Sequence, residues 1–523
     1  MKFVKVFFGC LVILLTACNK DNATEKRDLD SSASTRGKPN LIIFYIDDLG
    51  YGDVSSYGAA GVNTPNIDSL ASKGVKFTDA HSTAATCTPS RYSLLTGEHG
   101  FRSNAAILPG DAPALIPPGK PTLPRLLKKA GYTTGVVGKW HLGLGDGFVD
   151  WNKAVKPGPL EIGFDYSFLL PATGDRVPTV YLENHHVVNL DLKDPIEVSY
   201  SEKVGDRPTG IDHPELLKFK ADKQHSQTII NGISRIGTMS GGENALWIDE
   251  QFPDVFTSKA VEFIRKNKKN PFFLFHSFHD IHVPRVPNPR FKGKSMMGPR
   301  GDAIVQMDWM VGEVMKELKI QDLLENTLVM FTSDNGPVLD DGYDDKALEM
   351  LGKHRPSGPL KGGKYSAFEG GTRMPMIVYW SGKTKALVSD ALISQVDIYA
   401  SMASLLGIEL ASDEAIDSQN LMDAWLGKTT TARDYMIEES VGTLSLRKNQ
   451  WKYIIPIPTD KILPAWLSNK DIEMGYSKEP QLYNLAIDLG EKNNVAASNP
   501  KLVISLQRKA DEFIAKGFRT TDN

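Results

Sequence analysis

Asp47-Asp48, Lys139 with His141, His279 with His282, and Asp334-Asn335 form four polar clusters, each at the end of a short apolar run, at 41–46, 132–137, 272–278 and 328–331. Asp47, Asp48, Asp334 and Asn335 offer only hard oxygen donors, which suit Ca²⁺ or Mg²⁺ and suit zinc poorly. Taken singly, an Asp pair after a strand also serves as a helix cap, and Asp334-Asn335-Gly336 as a turn. Four such clusters at one sheet edge would instead converge on one polar pocket, because open α/β sheets place their sites at the carboxyl ends of strands. Cys87 lies in Ala85-Thr86-Cys87-Thr88-Pro89-Ser90-Arg91-Tyr92-Ser93-Leu94-Leu95-Thr96-Gly97. Pro89 can open a helix, which puts residue 87 at an amino-terminal end where free N–H groups and the dipole favour an anion. Arg91 projects near the same place. These features predict a lowered thiol pKa and a nucleophilic cysteine; the bland fate of a lone Cys is burial in a core.

The elements that must position these residues come from the same runs. They are rich in β-branched and aromatic residues and, with a further run at 376–380, alternate with helical patterns. That alternation predicts an α/β fold with a large, mostly parallel sheet flanked by helices. Ile304, Met307, Val311, Val314 and Leu318 recur at helical spacing and are read as core packing without a catalytic role. After about residue 410 the pattern changes to short strand-like pieces at 445–447, 451–454 and 481–484, then a helix over about 500–516. A smaller C-terminal α+β subdomain over 411–523 is expected, following a catalytic domain over 39–410.

The 523 residues are 41% apolar and 24% charged, which excludes collagen, coiled coil and wholesale disorder. Sixty Lys+Arg against 63 Asp+Glu leave a formal charge of −3. That balance gives no basic field, so no nucleic-acid partner is expected. Lys2 and Lys5 precede an apolar run over 6–17, shorter than the roughly 20 residues that span a bilayer. It reads as a signal peptide, 1–17, and its end, Leu15-Thr16-Ala17-Cys18, resembles a bacterial lipobox with Cys18 as the lipidated residue. Residues 18–38 read as a polar tether. The expected location is an exported lipoprotein of the outer membrane. Processing would take the charge from −3 to −5 by removing Lys2 and Lys5, and leave Cys87 as the one unmodified cysteine.

The segment around Cys87 is similar to the signature of the type I sulfatases, Cys-x-Pro-Ser-Arg followed by a short helix and Thr-Gly. A second signature of that family appears as Gly131-Tyr132-Thr133-Thr134-Gly135-Val136-Val137-Gly138-Lys139-Trp140-His141, and Lys364 falls in a further matching stretch, Gly362 to Arg373. The resemblance runs from about Lys38 to Ala496. It implies an alkaline-phosphatase-like fold and hydrolysis of sulfate esters. It also implies that a maturation enzyme oxidises Cys87 to formylglycine, whose hydrate is the nucleophile, beside one Ca²⁺ held by Asp47, Asp48, Asp334, Asn335 and the modified position 87. By the same correspondence Arg91, Lys139 and Lys364 contact the sulfate, and Asp334 is the base. His282 is the acid at the leaving oxygen, with His279 the alternative, and His141 helps expel sulfate. Asp175, Arg176, His185, His354 and Arg355 lie in polar loops expected near the pocket mouth and are candidate substrate contacts. Hydrogen-bonding groups plus a cation suit a sulfated sugar, a galactose or hexosamine sulfate of a glycan, better than a flat aryl ester. Three rival readings remain: a formylglycine-dependent phosphodiesterase or phosphonate monoester hydrolase, an inactive glycan-binding lipoprotein, and a thiol hydrolase using Cys87 with His141.

Overall fold

The computed structural model describes residues 1–2 and 37–518. The expected signal peptide, Cys18 and nearly all of the tether lie outside the described residues. The chain divides into two units, Met1–Lys38 and Pro39–Asn523, and every strand and helix among the described residues lies in the second. No helix among the described residues is long and apolar enough to cross a membrane.

Ten strands make the main sheet: β1 (Asn40–Ile46), β2 (Val75–Phe77), β3 (Thr133–Lys139), β4 (Tyr166–Leu170), β5 (Leu182–Glu183), β6 (His186–Val187), β7 (Phe272–Ser277), β8 (Thr327–Ser333), β9 (Met376–Trp380) and β10 (Leu387–Ser389). Their order is β10-β2-β9-β8-β1-β7-β3-β4-β5-β6. The five central strands from β8 to β4 are parallel, and antiparallel pairing begins at β9 and at β5. β1 is buried along its whole length because its alternating side chains enter different cores. Leu41, Ile43 and Tyr45 pack in one with Leu94 and Leu95. Ile42, Phe44 and Ile46 pack in the other with Ile304, Met307, Val311, Val314 and Leu318. That second set is the helical stripe of the sequence, on a helix over Gly298–Ile320.

β8, β1, β7 and β3 are consecutive neighbours and all run the same way. Their carboxyl ends therefore bring Asp334-Asn335, Asp47-Asp48, His279 to His282 and Lys139 to His141 to one edge. The C-terminal part adds a four-stranded antiparallel sheet, β11 (Tyr435–Glu439), β12 (Leu444–Lys448), β13 (Trp451–Ile454) and β14 (Gln481–Asn484), and a closing helix Pro500–Lys516. The first of these strands has no counterpart among the runs read from sequence, and its Glu439 pairs its backbone with Thr83 and Ala85, just before Cys87.

Candidate active site

Cys87 begins helix α1 (Cys87–Thr96), whose ten residues are all buried. Gly97 ends it at φ +71, where a Cβ would lie 2.4 Å from the Ala415 Cβ, so only glycine fits that turn. Arg91 is one turn along α1 on the Cys87 side. It spans the strand ends, with Nε 2.9 Å from Asp334 Oδ2, Nη2 3.4 Å from Asp47 Oδ2, and Nη1 2.5 Å from Ser277 Oγ and 3.2 Å from the Lys139 carbonyl. Ser277 is a positioning group that sequence reasoning missed.

Ligand atoms of Asp47, Cys87 and Asp334 lie within 4.8 Å of one another, as do those of Asp47, Asp48 and His282. The Asn335 amide donates to Asp48 Oδ1 at 2.7 Å and to the Gly336 carbonyl at 2.9 Å, which leaves its Oδ1 free. Asn335 Oδ1 and Asp47 Oδ1 are both buried without a hydrogen-bond partner among the described residues. Unpaired buried oxygens are costly, and two of them among hard donors fit a divalent calcium-like ion held by Asp47, Asp48, Asp334 and Asn335. Every carboxylate here has a cation against it: Lys139 on Asp47, Lys364 on Asp48 at 2.9 Å and on Asp341 at 3.0 Å, and Arg91 on Asp334. Burial and the neighbouring Asp334 push Asp47 up, and burial pushes Asp48 up. Burial opposes the charge on Lys364, but Asp341 and Asp48 outweigh it and hold its pKa well above the usual range. Asp48 and His141 sit at φ 58 and 53 and Tyr365, beside Lys364, at φ 75. Non-glycine residues held in this region mark backbone over-determined by its surroundings.

A cavity of about 660 Å³ is lined by Thr86, Cys87, His141, His282 and Lys364. His141 Nε2 lies 2.9 Å from the Leu108 carbonyl, so it carries the proton, and buried Nδ1 has no partner among the described residues. His282 Nδ1 donates to the Val283 carbonyl at 2.7 Å, and its Nε2 is 3.9 Å from Asp48 Oδ2. Burial, joined by Lys139 for His141 and by Lys364 for His282, drives both rings well below the ordinary histidine value. His279 is not on the cavity wall; it sits edge-on to Phe252 with ring centroids 5.2 Å apart.

One expectation is reversed. Burial pushes the Cys87 thiol up, and Lys139 and Lys364 do not offset it. The helix that should lower its pKa lies wholly inside the protein, where desolvation of a thiolate outweighs the dipole. Burial thus opposes the lowered pKa on which an unaided thiol nucleophile would rely.

The chemistry on offer is attack by a group at position 87 on an anionic centre ringed by cations, with a histidine at hand for a leaving oxygen. The Sulfatase family matches residues 39–408. The chain belongs to that family. As a sulfatase it is a sulfuric ester hydrolase. It is 51% identical over 498 residues to an N-acetylgalactosamine-6-O-sulfatase of Bacteroides thetaiotaomicron, covering 95% of this chain and 96% of that one. A steryl-sulfatase of Rattus norvegicus is 34% identical over 420 residues, 74% of this chain and 70% of the relative. A solved 6S-sulf chain, from work on the metabolism of multiple glycosaminoglycans by Bacteroides thetaiotaomicron, superposes with a TM-score of 0.89 at 51% identity, covering 92% of this sulfatase and 100% of that chain.

The substrate-contact candidates divide. Asp175 and Arg176 line the cavity of this sulfatase, held to each other at 2.9 Å. His185 does not reach it: it lies in the β5–β6 hairpin at the sheet edge, with Nε2 2.9 Å from Glu161 Oε1. His354 is buried elsewhere, bonded to Asp53 at 2.8 Å and to the Ala60 amide, and exposed Arg355 lines a separate cavity with it. A polar stretch carries no sign of which loop folds inward. Sequence reasoning missed His225, Asp341 and Lys470, which also line the cavity and stand in stretches without periodicity or motif.

Proposed function

We propose that this sulfatase removes the sulfate ester from a glycan sugar, with 6-O-sulfated N-acetylgalactosamine as the preferred unit. The observation that carries the reading is the pairing of the position-87 cluster with a polar wall of Asp175, Arg176 and His225 in one cavity. Hydrogen-bonding groups of both signs suit a sugar rather than a sterol or aryl ring, and the 51% relative that spans the chain carries the matching name.

A formylglycine made from Cys87 by a maturation enzyme would supply a hydrated aldehyde as nucleophile. Calcium, held by Asp47, Asp48, Asp334 and Asn335, would supply a Lewis acid for one sulfuryl oxygen. Arg91, Lys139 and Lys364 complement the remaining negative charge in a water-poor site, where fixed cations stabilise best. Asp334 takes the proton of the attacking hydroxyl at position 87. The incoming anion favours the protonated ring of His282, whose Nε2 then gives its proton to the departing sugar oxygen. His141, its Nε2–H tied to Leu108 and its Nδ1 bare, accepts the second hydroxyl proton as sulfate is released. The chain is proposed to act as an exported outer-membrane lipoprotein anchored through Cys18, a reading supported by the amino-terminal sequence.

The test is sulfate release from 2-, 3-, 4- and 6-sulfated galactose and 3-, 4- and 6-sulfated N-acetylgalactosamine and N-acetylglucosamine, beside an aryl sulfate and a phosphodiester, with intact mass of the protein checked alongside. Conversion of Cys87 lowers the mass by about 18 Da. Release confined to the 6-sulfated galacto sugars supports the proposal. Release from an aryl sulfate or a phosphodiester alone would refute it.

A further inference from the structure

Lys364, which the proposed mechanism places at the sulfate, has a carboxylate on two sides. Its Nζ lies 2.9 Å from Asp48 Oδ2 and 3.0 Å from Asp341 Oδ2. Asp48 belongs to the proposed metal-ligand set. Asp341 does not, and it stands with Lys364 on the wall of the catalytic cavity. A buried carboxylate against the lysine fixes the ammonium in place, but it also cancels the charge that an anionic substrate should meet. An uncompensated Asp341 would therefore work against the site it orders.

A second cation answers it. Lys470 Nζ lies 2.5 Å from Asp341 Oδ1, with the two side chains 10% and 9% exposed. Each Asp341 oxygen thus faces its own ammonium, and the Tyr365 hydroxyl donates to the same carboxylate at 2.9 Å. Burial favours a neutral Asp341, but Lys364 and Lys470 outweigh it and hold the carboxyl below the usual range. Lys470 forms no other ion pair among the described residues. Lys364 and Asp341 alone sum to zero, and Lys470 returns the set to one positive charge.

The chain between β13 and β14 delivers Lys470, and it is pinned along the segment that carries Lys364. The Ser366 hydroxyl donates to the Glu473 carbonyl at 2.7 Å, Ala367 N–H to the Met474 carbonyl at 2.9 Å, and the Tyr476 hydroxyl to the Tyr365 carbonyl. Trp466 stands edge-on to Tyr365 with ring centroids 4.9 Å apart. A lysine held this way has already lost the rotamer freedom that weakens a surface ion pair.

Building on the proposed role of Lys364, we infer that Lys470 is a positioning residue of the reaction: it offsets Asp341, so that Asp341 fixes the Lys364 ammonium without cancelling the charge that the sulfuryl group meets. The sulfuryl group is anionic in substrate and transition state alike, so the effect is read in kcat/KM.

The experiment measures kcat/KM for sulfate release from 6-sulfated N-acetylgalactosamine by the matured parent, Lys470→Met, Lys470→Gln, Asp341→Asn and an Asp341→Asn/Lys470→Met double variant, with thermal midpoints taken to confirm folding. Asparagine in place of Asp341 keeps an acceptor for Lys364 but no charge. Each single Lys470 variant should lower kcat/KM by about ten- to a hundredfold, the scale of one charge in a water-poor site. In the Asp341→Asn background the same Lys470→Met change should cost less than about threefold, because no charge is left to offset. Equal costs in the two backgrounds overturn the proposal, since a lysine that touches the sugar or merely packs the wall loses as much in either. Full activity of both single Lys470 variants, or an inactive Asp341→Asn, overturns it as well. Lys364→Ala at the parent's rate would instead overturn the role of Lys364 on which the inference rests, and no release by the parent would overturn the glycan reading.

Discussion

Arg91 bonds to groups at the ends of β8, β1, β7 and β3 at once, so a single guanidinium ties four strand ends to the helix that carries position 87. Its fixed fork serves that purpose as a lysine could not. If His282 is the acid proposed above, the effect of removing it should depend on the leaving group. His282→Ala is expected to lower kcat on a sugar sulfate by about 10²- to 10⁴-fold and to spare an activated aryl sulfate, whose phenolate leaves without a proton. Stopped assays on both substrates check this; equal losses would deny His282 the role of acid. His225 gives a pH signature. Burial opposes its charge, but hydrogen bonds to Asp175 and Asp222 outweigh burial and carry its pKa from 6.5 to about 9. Because the folded value is the higher, this stabilisation is full below about pH 6.5 and is lost as pH rises through about 9. His225→Gln should therefore be less stable than the parent by about 1–3 kcal/mol at pH 6, with the gap closing near pH 10 in urea titrations at each pH.

The four-stranded sheet is tied to the main sheet's edge by buried charge rather than by apolar packing alone. Arg447 on β12 meets Glu369 at 2.7 Å and Asp79 at 3.0 Å, Lys452 on β13 meets Glu369 at 3.2 Å, and Glu438 on β11 holds both Lys452 and Thr372. Asp79, His81 and Glu369 are close enough to resemble a metal cluster, but these cations already occupy their oxygens. Arg447→Ala removes one cation from Glu369 and from half-buried Asp79, which keep Lys452, Arg373 and His81 as partners, and should cost about 1–3 kcal/mol, read as a lower denaturation midpoint at constant m. This element also marks where sequence stops being informative. β1, β7 and β8 were legible because strands covered on both faces are continuous apolar runs, and their polar ends then exposed the site. β2, β6 and β10 are two or three residues long, too short for any pattern. β11 mixes Glu438 and Glu439 with apolar residues, since its partners are ions. Cys87, Arg91, Lys139 and Lys364 could be read from their local frames. Ser277, His225, Asp341 and Lys470 could not, because only tertiary contact brings them to the cavity, and the same absence of a local signal put His185, His354 and Arg355 wrongly at its mouth.

For the molecule as a whole, the sheet supplies the edge, α1 the placement of residue 87 and the C-terminal segment around Trp466 and Lys470 one wall. In the proposed reading, the amino-terminal residues set where the enzyme works. A Cys18→Ser variant should keep its turnover and move from the membrane fraction to the soluble fraction; retention at the membrane would rule out the lipid anchor. The most direct measurement is sulfate release from 6-sulfated N-acetylgalactosamine, followed by ion chromatography, for the matured parent and for Cys87→Ala. One sulfate per sugar is predicted with the parent and none with the variant, whose stability should stay within about 1 kcal/mol of the parent because the side chain fills little volume. Sulfate release by Cys87→Ala at the parent's rate would contradict the assignment of position 87 as the nucleophile.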